Sequence, residues 1–265
     1  DTVVDYNHPD LAANMWINPN EIAGDGIDND GNGFNDDVRG WDFYDDENDP
    51  IDTHGHGTHC SGTIGGIGNN GIGVAGVNWE VTIVPIRFLG PTGGNTSDAI
   101  DSVNYATRIG VNLSSNRWGG GGYSELLKSA IAAAGEANQL FVAAAGNDRF
   151  DNDSWPQYPA SYSFEDGEDN IISVASTNEN DQLSSFSNYG ATSVDIAAPG
   201  SEILSSTPAN TYSTYSGTSM ATPHVAGALA LYASLIPDAS FQDLKAQLLA
   251  STDAISALEG KCLSG

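Results

Sequence analysis

The sequence is poor in basic residues and in cysteine. Its 265 residues include 8 Lys and Arg against 35 Asp and Glu, which gives a formal net charge of −27. A chain this acidic repels nucleic acid and anionic membranes, so we expect neither as a partner. The two cysteines, Cys60 and Cys262, are too few for a disulfide scaffold. No apolar run approaches the ~20 residues that span a bilayer, and the Lys-poor composition favours an extracellular protein.

Strand-like and helix-like patterns alternate from about residue 81 onward. Apolar runs typical of buried strands lie at 81–86, 111–113, 140–144, 171–174 and 194–197. Helical spacing of apolar residues begins at Ser97, at Ser124, near Ser219 (ending before Pro237) and at Ser240, which forms a capping box with Asp243. This alternation predicts an α/β fold with a mostly parallel sheet, in which sites gather at the carboxyl ends of strands.

The strongest chemical signal is the segment 217–227, Gly-Thr-Ser-Met-Ala-Thr-Pro-His-Val-Ala-Gly. Gly217 permits a close approach of the chain, and Ser219 stands at the start of a predicted helix. The N–H groups and the dipole of a helix N-terminus favour developing negative charge. Pro223 is compatible with the first turn of that helix. The alternative interpretation is an ordinary serine N-cap.

A second segment, 54–62, is rich in histidine. His56 and His59 have the spacing of residues on one helix face, so a zinc site is an alternative interpretation. The segment has no H-E-x-x-H motif, and zinc would need a third ligand, so zinc is disfavoured. Cys60 follows His56 by four residues and is interpreted as a small core residue.

Two further segments, Asp1–Leu11 and Val142–Asn147, complete a set of four in fixed order. Together they resemble the subtilisin-like serine protease family (subtilases) nearly from end to end, in the family's order of Asp, His and Ser. The resemblance implies a three-layer αβα fold with a mostly parallel central sheet. It also implies a secreted, calcium-dependent serine endopeptidase of the bacterial type.

The resemblance assigns four catalytic residues. Ser219 is the nucleophile, His56 the general base, and Asp1 the carboxylate that orients His56. Asn147 donates its side-chain amide to the oxyanion. A lipase or esterase is excluded, because the serine segment is not G-x-S-x-G and the order of the partners differs.

The substrates implied by the resemblance are polypeptides that bind in extended form by strand addition. The implied substrate-binding residues are Gly93, Gly94, Trp118, Gly119, Gly120, Ala144, Ala145 and Gly146. Glycines leave room for a large side chain, which favours an apolar or aromatic residue before the cleaved bond.

The region 18–52 is rich in Gly, Asp and Asn and predicts a long ordered loop that needs a ligand. Asp28, Asp30, Asn32 and Gly33 copy the first half of an EF-hand loop, but Arg39 stands where its bidentate Glu would be. An acidic turn without metal is the alternative. Calcium is favoured because so many carboxylates would otherwise repel one another. The predicted ligands are Asp25, Asp28, Asp30, Asn32, Asp36 and Asp37.

A second calcium site follows from the resemblance alone. Asp10 and Asn70 match the side-chain ligands of the family's strong site, and the carbonyls of Ile72 and Val74 would complete it. We expect loss of calcium to loosen both regions and to expose them to self-cleavage.

The sequence departs from the family pattern at two positions. Val3 replaces a glycine, and a β-branched residue conflicts with a backbone that needs positive φ. Arg117 stands where relatives usually carry serine. These departures make an inactive, calcium-binding relative the second interpretation of function.

The expected domain organisation is a single catalytic domain over residues 1–265. The start at Asp1 and the end near Cys262 predict a domain truncated at both ends. The resemblance further implies a precursor with a signal segment and an inhibitory propeptide.

Overall fold

The chain divides into two compact units. The computed structural model describes residues 1–164 and 169–264. The first unit comprises Asp1–Gly110 and Ser205–Ser213, and the second comprises Val111–Leu204 and Thr214–Gly265. Among the helices in the described residues, none is both long enough and apolar enough to traverse a bilayer.

The first unit contains little regular structure. Strand β1 (Trp41–Asp42) pairs in parallel with β2 (Ile86–Arg87), and the helices are α1 (His56–Gly65) and α2 (Thr96–Arg108). Of the predicted strand 81–86, only the last residue lies in a strand, so that prediction is wrong over most of its length. Ile83 instead makes an isolated bridge to Met15 and packs on a buried apolar cluster, which explains its apolar character.

The second unit is built on a four-stranded parallel sheet. Its strands are β3 (Leu113–Asn116), β4 (Leu140–Ala144), β5 (Ile171–Thr177) and β6 (Ile196–Pro199), paired in that order. β5 is buried along its whole length and β4 along nearly all of it. Continuous apolar runs such as these are typical of central parallel strands. The predicted parallel sheet is therefore confirmed, with shifts of a few residues at β3 and β6.

Three helices belong to this sheet. They are α3 (Glu125–Glu136), α4 (Thr218–Leu235) and α5 (Phe241–Ala250). α4 packs against all four strands, α3 against β4, and α5 against α4. The Ser124 hydroxyl accepts the N–H of Leu127, and Ser240 with Asp243 forms the predicted capping box. These helix starts could be predicted from the sequence, because a serine side-chain oxygen accepts N–H groups that have no partner within the helix.

Two short strands were not predicted. β7 (Ile203–Thr207) and β8 (Thr211–Tyr215) pair with each other. Their residues 205–213 belong to the first unit. Single-turn 3₁₀ helices lie at Ala12–Asn14 and Ser256–Leu258.

Candidate active site

In the first unit, a carboxylate and an imidazole form a close pair. Nδ1 of His56 lies 2.8 Å from Oδ1 of Asp1 and 3.1 Å from its Oδ2. The Asp1 side chain is 5% exposed and that of His56 is 23% exposed. A buried carboxylate at Nδ1 fixes the ring orientation and the tautomer that carries its proton there. The basic nitrogen of His56 is then Nε2.

The backbone around Asp1 is tightly held. Its carbonyl accepts the N–H groups of Phe88 and Leu89, each at 3.3 Å. Val3 adopts φ 87°, so the residue that replaces the family's glycine stands in the left-handed region. A Cβ on Gly57 would lie 1.8 Å from the Val3 carbonyl oxygen, so Gly57 lets this segment approach the start of α1.

The two histidines of α1 that suggested zinc serve different partners. Nδ1 of His56 faces Asp1, whereas Nε2 of His59 lies 3.1 Å from the Ser213 carbonyl oxygen. The group that lies close together is instead Asp1, His56 and Cys60. Cys60 is fully buried within α1, which agrees with its interpretation as a small core residue.

In the second unit, Ser219 lies at the N-terminus of α4. It is the second residue of that helix, where the macrodipole favours negative charge. Its hydroxyl donates a long hydrogen bond of 3.4 Å to the carbonyl of Arg117. Pro223 lies at the sixth helical position, one turn deeper than predicted. Because proline has no backbone N–H, the helical hydrogen bond that this position would donate to the Ser219 carbonyl is absent.

Asn147 lies in the loop that follows β4 and bonds the start of the same helix. Its Oδ1 accepts the N–H of Thr218 at 2.8 Å and the Thr218 hydroxyl at 3.0 Å. Both bonds hold Oδ1, and they therefore fix the orientation of the whole side-chain amide, including its donor Nδ2. Thr218 was missed in the sequence, because a threonine at a helix start carries no signal of its partner.

Two of the predicted substrate-binding segments leave the same edge of the sheet. Asn116 at the end of β3 pairs with Ala143 of β4, so residues 117–120 and 144–146 follow neighbouring strand ends. An antiparallel bridge between Gly121 and Tyr158 lies beyond them. A Cβ on Gly120 would meet nothing within 4 Å, so the space beside that glycine is open.

The predicted glycines Gly93 and Gly94 lie in the first unit. Gly93 closes a tight turn by exchanging two backbone hydrogen bonds with Gly90, at 3.0 and 3.2 Å, and its φ is 108°. A Cβ on Gly94 would lie 2.2 Å from the carbonyl oxygen of Phe88. Both positions therefore need glycine to build the loop itself, besides any role in binding.

Known proteins match this chain over nearly its whole length. The sequence profile of the subtilase family matches residues 1–261. Thermitase from Thermoactinomyces vulgaris is 40% identical over 257 residues, which cover 97% of this chain and 80% of thermitase. The chain belongs to the subtilase family. It is a subtilisin-like serine endopeptidase.

Two other subtilases extend the comparison. The thermophilic serine proteinase of Bacillus sp. (strain AK1) is 37% identical over 235 residues, which cover 88% of this chain and 51% of that protein. The crystal structure of a cold adapted subtilisin-like serine proteinase superposes with a TM-score of 0.76 at 34% identity, covering 99% of this chain and 85% of that one. The structural match confirms the α/β subtilisin-like fold class that was predicted.

The acidic loop of this subtilase brings together three carboxylates. Oxygens of Glu21, Asp30 and Asp37 lie within 4.8 Å of one another, a spacing that suits ligands of one calcium ion. Asp37 is fully buried, and burial raises its pKa. A cation would offset that cost of a buried negative charge. Glu21 was missed, because it precedes the EF-hand-like spacing.

The other predicted ligands of the loop have different roles in this structure. The Asp36 carboxylate accepts the N–H groups of Gly24, Asp25 and Gly26, at 2.7 to 3.2 Å. The carboxylate of Asp25 accepts the N–H of Ile27 at 2.8 Å. These bonds shape the turn. Asp36 and Asp25 are not part of the three-carboxylate group.

Asp28 and Asn32 lie at the EF-hand-like turn itself. Asp28 accepts the N–H groups of Gly33 and Asn32, at 2.8 and 3.0 Å, and these bonds hold its pKa below the usual range. Asn32 is buried, and its amide donates to the carboxylates of Asp30 and Asp37. The turn therefore orients two of the three grouped carboxylates.

Two of the predicted ligands of the second calcium site, Asp10 and Asn70, lie in direct contact. Asp10 is fully buried and accepts the Asn70 amide at 2.6 Å, the Val74 N–H at 2.8 Å and the Tyr212 hydroxyl at 3.1 Å. Asn70 in turn accepts the Ile72 N–H at 3.1 Å. These donors are neutral, so the buried negative charge has no cationic partner among them, and a cation bound there would compensate it.

A third acidic group, missed in the sequence, contains Asp42, Asp45 and Glu47. Arg87 forms ion pairs with the fully buried Asp42 and with Asp45. The guanidinium therefore compensates this group without a metal. The close spacing of the three acids in sequence could have indicated this group. Its cationic partner could not be predicted, because Arg87 lies about 40 residues away in sequence.

Proposed function

We propose that this subtilase hydrolyses peptide bonds through Asp1, His56 and Ser219. The Ser219 Oγ attacks the scissile carbonyl carbon while Nε2 of His56 takes the hydroxyl proton. His56 then delivers that proton to the leaving amine, which gives an acyl-enzyme on Ser219. A water molecule, deprotonated by His56, hydrolyses the acyl-enzyme. The observation that carries the proposal is the 2.8 Å bond from His56 Nδ1 to Asp1, which holds the required tautomer.

The oxyanion of each tetrahedral intermediate is proposed to bind Asn147 Nδ2 and the N–H of Ser219. The anchoring of Asn147 Oδ1 by Thr218 supports this role, because it fixes the amide before substrate arrives. Donors that are already in place need no reorganisation as charge develops.

The substrate is proposed to be an extended polypeptide that adds as a strand along residues 118–120. Residues 144–146 would form the opposite wall of the first pocket, and Gly93 and Gly94 would flank the peptide. The open space beside Gly120 supports a large apolar or aromatic side chain before the cleaved bond.

Calcium is proposed to bind at two places in the first unit. The first place is the acidic loop, with the grouped carboxylates of Glu21, Asp30 and Asp37. The second is the group around Asp10 and Asn70, with the carbonyls of Ile72 and Val74. Bound calcium would supply positive charge that stabilises these loops, and the catalytic steps do not involve it.

We also propose that the enzyme is secreted and that its precursor carries an inhibitory propeptide. The acidic, Lys-poor composition supports an extracellular location. Antibody detection in culture medium against cell lysate tests the location, and an enzyme confined to the lysate would contradict it.

A fluorophosphonate probe tests the catalytic proposal, because it reacts with activated serines. We expect labelling of Ser219 by peptide mapping, with calcium required for full labelling. Ser219→Ala should abolish labelling without unfolding the protein. The matched control is Ser216→Ala, three residues earlier, which should keep it. A folded, calcium-loaded protein that is not labelled would support the second hypothesis, that the chain is an inactive calcium-binding relative. The observation that favours this hypothesis is the positive φ of Val3, two residues after Asp1.

A further inference from the structure

The loop from 145 to 150 carries Asn147 and depends on a buried asparagine distant in sequence. Asn188 is fully buried. Its Oδ1 accepts the N–H groups of Asp148 at 2.8 Å and Phe150 at 3.0 Å. These two residues lie on the C-terminal side of Asn147.

The same side chain holds the other end of the loop. Nδ2 of Asn188 donates to the Ala145 carbonyl at 3.1 Å and to Oδ1 of Asn152 at 3.0 Å. The backbone N–H of Asn188 donates to the Gly146 carbonyl at 2.9 Å. Asn188 therefore bonds the chain on both sides of Asn147.

The bonds use the full capacity of the Asn188 amide. A side-chain amide offers two donor hydrogens and an acceptor oxygen with two lone pairs, and all four are engaged here. No other side chain of this size supplies two donors and two acceptors in the same places. Aspartate would keep the two acceptor contacts and lose both donors.

Two neighbours reinforce this arrangement. Asn152 is 1% exposed and also donates to the Ala145 carbonyl, at 2.9 Å. Gly146 has φ 115°, and a Cβ there would lie 2.4 Å from Nδ2 of Asn188. The loop therefore passes over Asn188 with no space between them.

We propose that Asn188 is a positioning residue that fixes the loop so that Asn147 presents its Nδ2 to the oxyanion. The proposal rests on the oxyanion role proposed for Asn147. Oxyanion stabilisation depends on donors held in place before the reaction, and small displacements of such groups weaken it. Asn147 itself is exposed, so buried neighbours must supply its rigidity.

The test is a double-mutant cycle between Asn188→Ser and Asn147→Ala. We expect Asn188→Ser to lower kcat by about 10- to 100-fold with little change in KM. The reason is that Asn147 Nδ2 would no longer be held where it can bond the oxyanion in the transition state. In the Asn147→Ala background the same substitution should cause no further loss of kcat. A residue that acts only through stability would not show this dependence.

The matched control is Asn170→Ser. Asn170 is also fully buried in the second unit, and its amide donates to the carbonyls of Ile131 and Gln139, each at 3.0 Å. We expect a lower melting temperature with kcat unchanged. If Asn188→Ser does not fold, Asn152→Ser replaces it in the double-mutant cycle with Asn147→Ala. We expect it to lower kcat less than Asn188→Ser would.

The outcomes separate the two proposals. If Asn147→Ala leaves kcat unchanged, the oxyanion role of Asn147 is wrong. If Asn147→Ala lowers kcat but Asn188→Ser either leaves it unchanged or lowers it equally in both backgrounds, the positioning role of Asn188 is overturned.

Discussion

The two units hold the residues proposed for catalysis by different means. In the first unit, Asp1 bonds His56 at the start of α1, and in the acidic loop of the same unit backbone N–H groups bond side-chain carboxylates such as that of Asp36. In the second, Asn147 and Ser219 follow a buried parallel strand and begin a long helix. Buried backbone groups must be paired in either case. The first unit should therefore respond to charge and metal, and the second to buried packing and amide contacts.

The largest expected effect is on the Asp1–His56 hydrogen bond of the first unit. Asp1→Asn should lower kcat by about 10⁴-fold, the value known for this change in a triad, because the amide favours the wrong tautomer of His56. Steady-state kinetics on a peptide substrate measures it. Asp5→Asn, a nearby carboxylate that only bonds backbone N–H groups, should leave kcat unchanged. Equal kcat for Asp1→Asn and the parent enzyme would remove Asp1 from the mechanism.

The next largest effect is expected from calcium, because both proposed calcium sites lie in the first unit. In a Ser219→Ala background, which prevents self-cleavage, calcium at about 100 times its Kd should add about 2.7 kcal/mol per occupied site to the free energy of unfolding. Asp10→Asn and Glu21→Gln should each reduce this gain. Thermal melts across a calcium titration measure it.

The control for calcium is Glu136→Gln, which removes an exposed carboxylate from α3 in the second unit. Its melting temperature should respond to calcium as the parent does. An identical calcium response in all three variants would argue against both proposed sites.

A smaller effect is expected from the backbone of Val3. Val3 and Val4 are 2% and 4% exposed, but only Val3 has positive φ. Both glycine substitutions lose buried surface, whereas Val3→Gly also relieves strain of about 1–3 kcal/mol. Val3→Gly should therefore destabilise the protein less than Val4→Gly, by about that amount. Urea unfolding of the two variants compares them, and equal losses would mean that Val3 is not strained.

The smallest effect concerns a partly buried histidine of the second unit, His224. Burial lowers the pKa of His224, whose Nδ1 bonds the Met220 carbonyl at 2.9 Å. The unfolded chain then binds a proton more readily than the folded one, so stability falls as pH drops below about 6.5. His224→Gln should reduce this slope by at most about 1.4 kcal/mol per pH unit. An unchanged slope between pH 7 and 5 would show that His224 does not contribute.

The sheet and helices of the second unit were largely predictable. The bounds of β4 match the predicted run, and Ser124 and Ser240 cap helices as expected. These signals are local, since they depend on apolar runs and on caps a few residues away. The strand predicted at 81–86 failed because that run is mostly only partly buried: Pro85 is its one buried residue, and Ile83 makes a single isolated bridge.

The contacts that complete the sites were less predictable. Glu21 joins Asp30 and Asp37 from outside the recognised turn, and Tyr212 reaches Asp10 across 202 residues of sequence. Such partners have no periodic signal, because only the folded chain brings them together.

The sequence by itself determined the family and the parallel sheet, and it predicted the catalytic residues, because motifs and apolar runs are local patterns. The tertiary structure decided how those residues are held. It placed Asp1 at Nδ1 of His56 and wrapped the Asn147 loop around Asn188. The physical reason is that a buried polar group must find its partners wherever the fold supplies them.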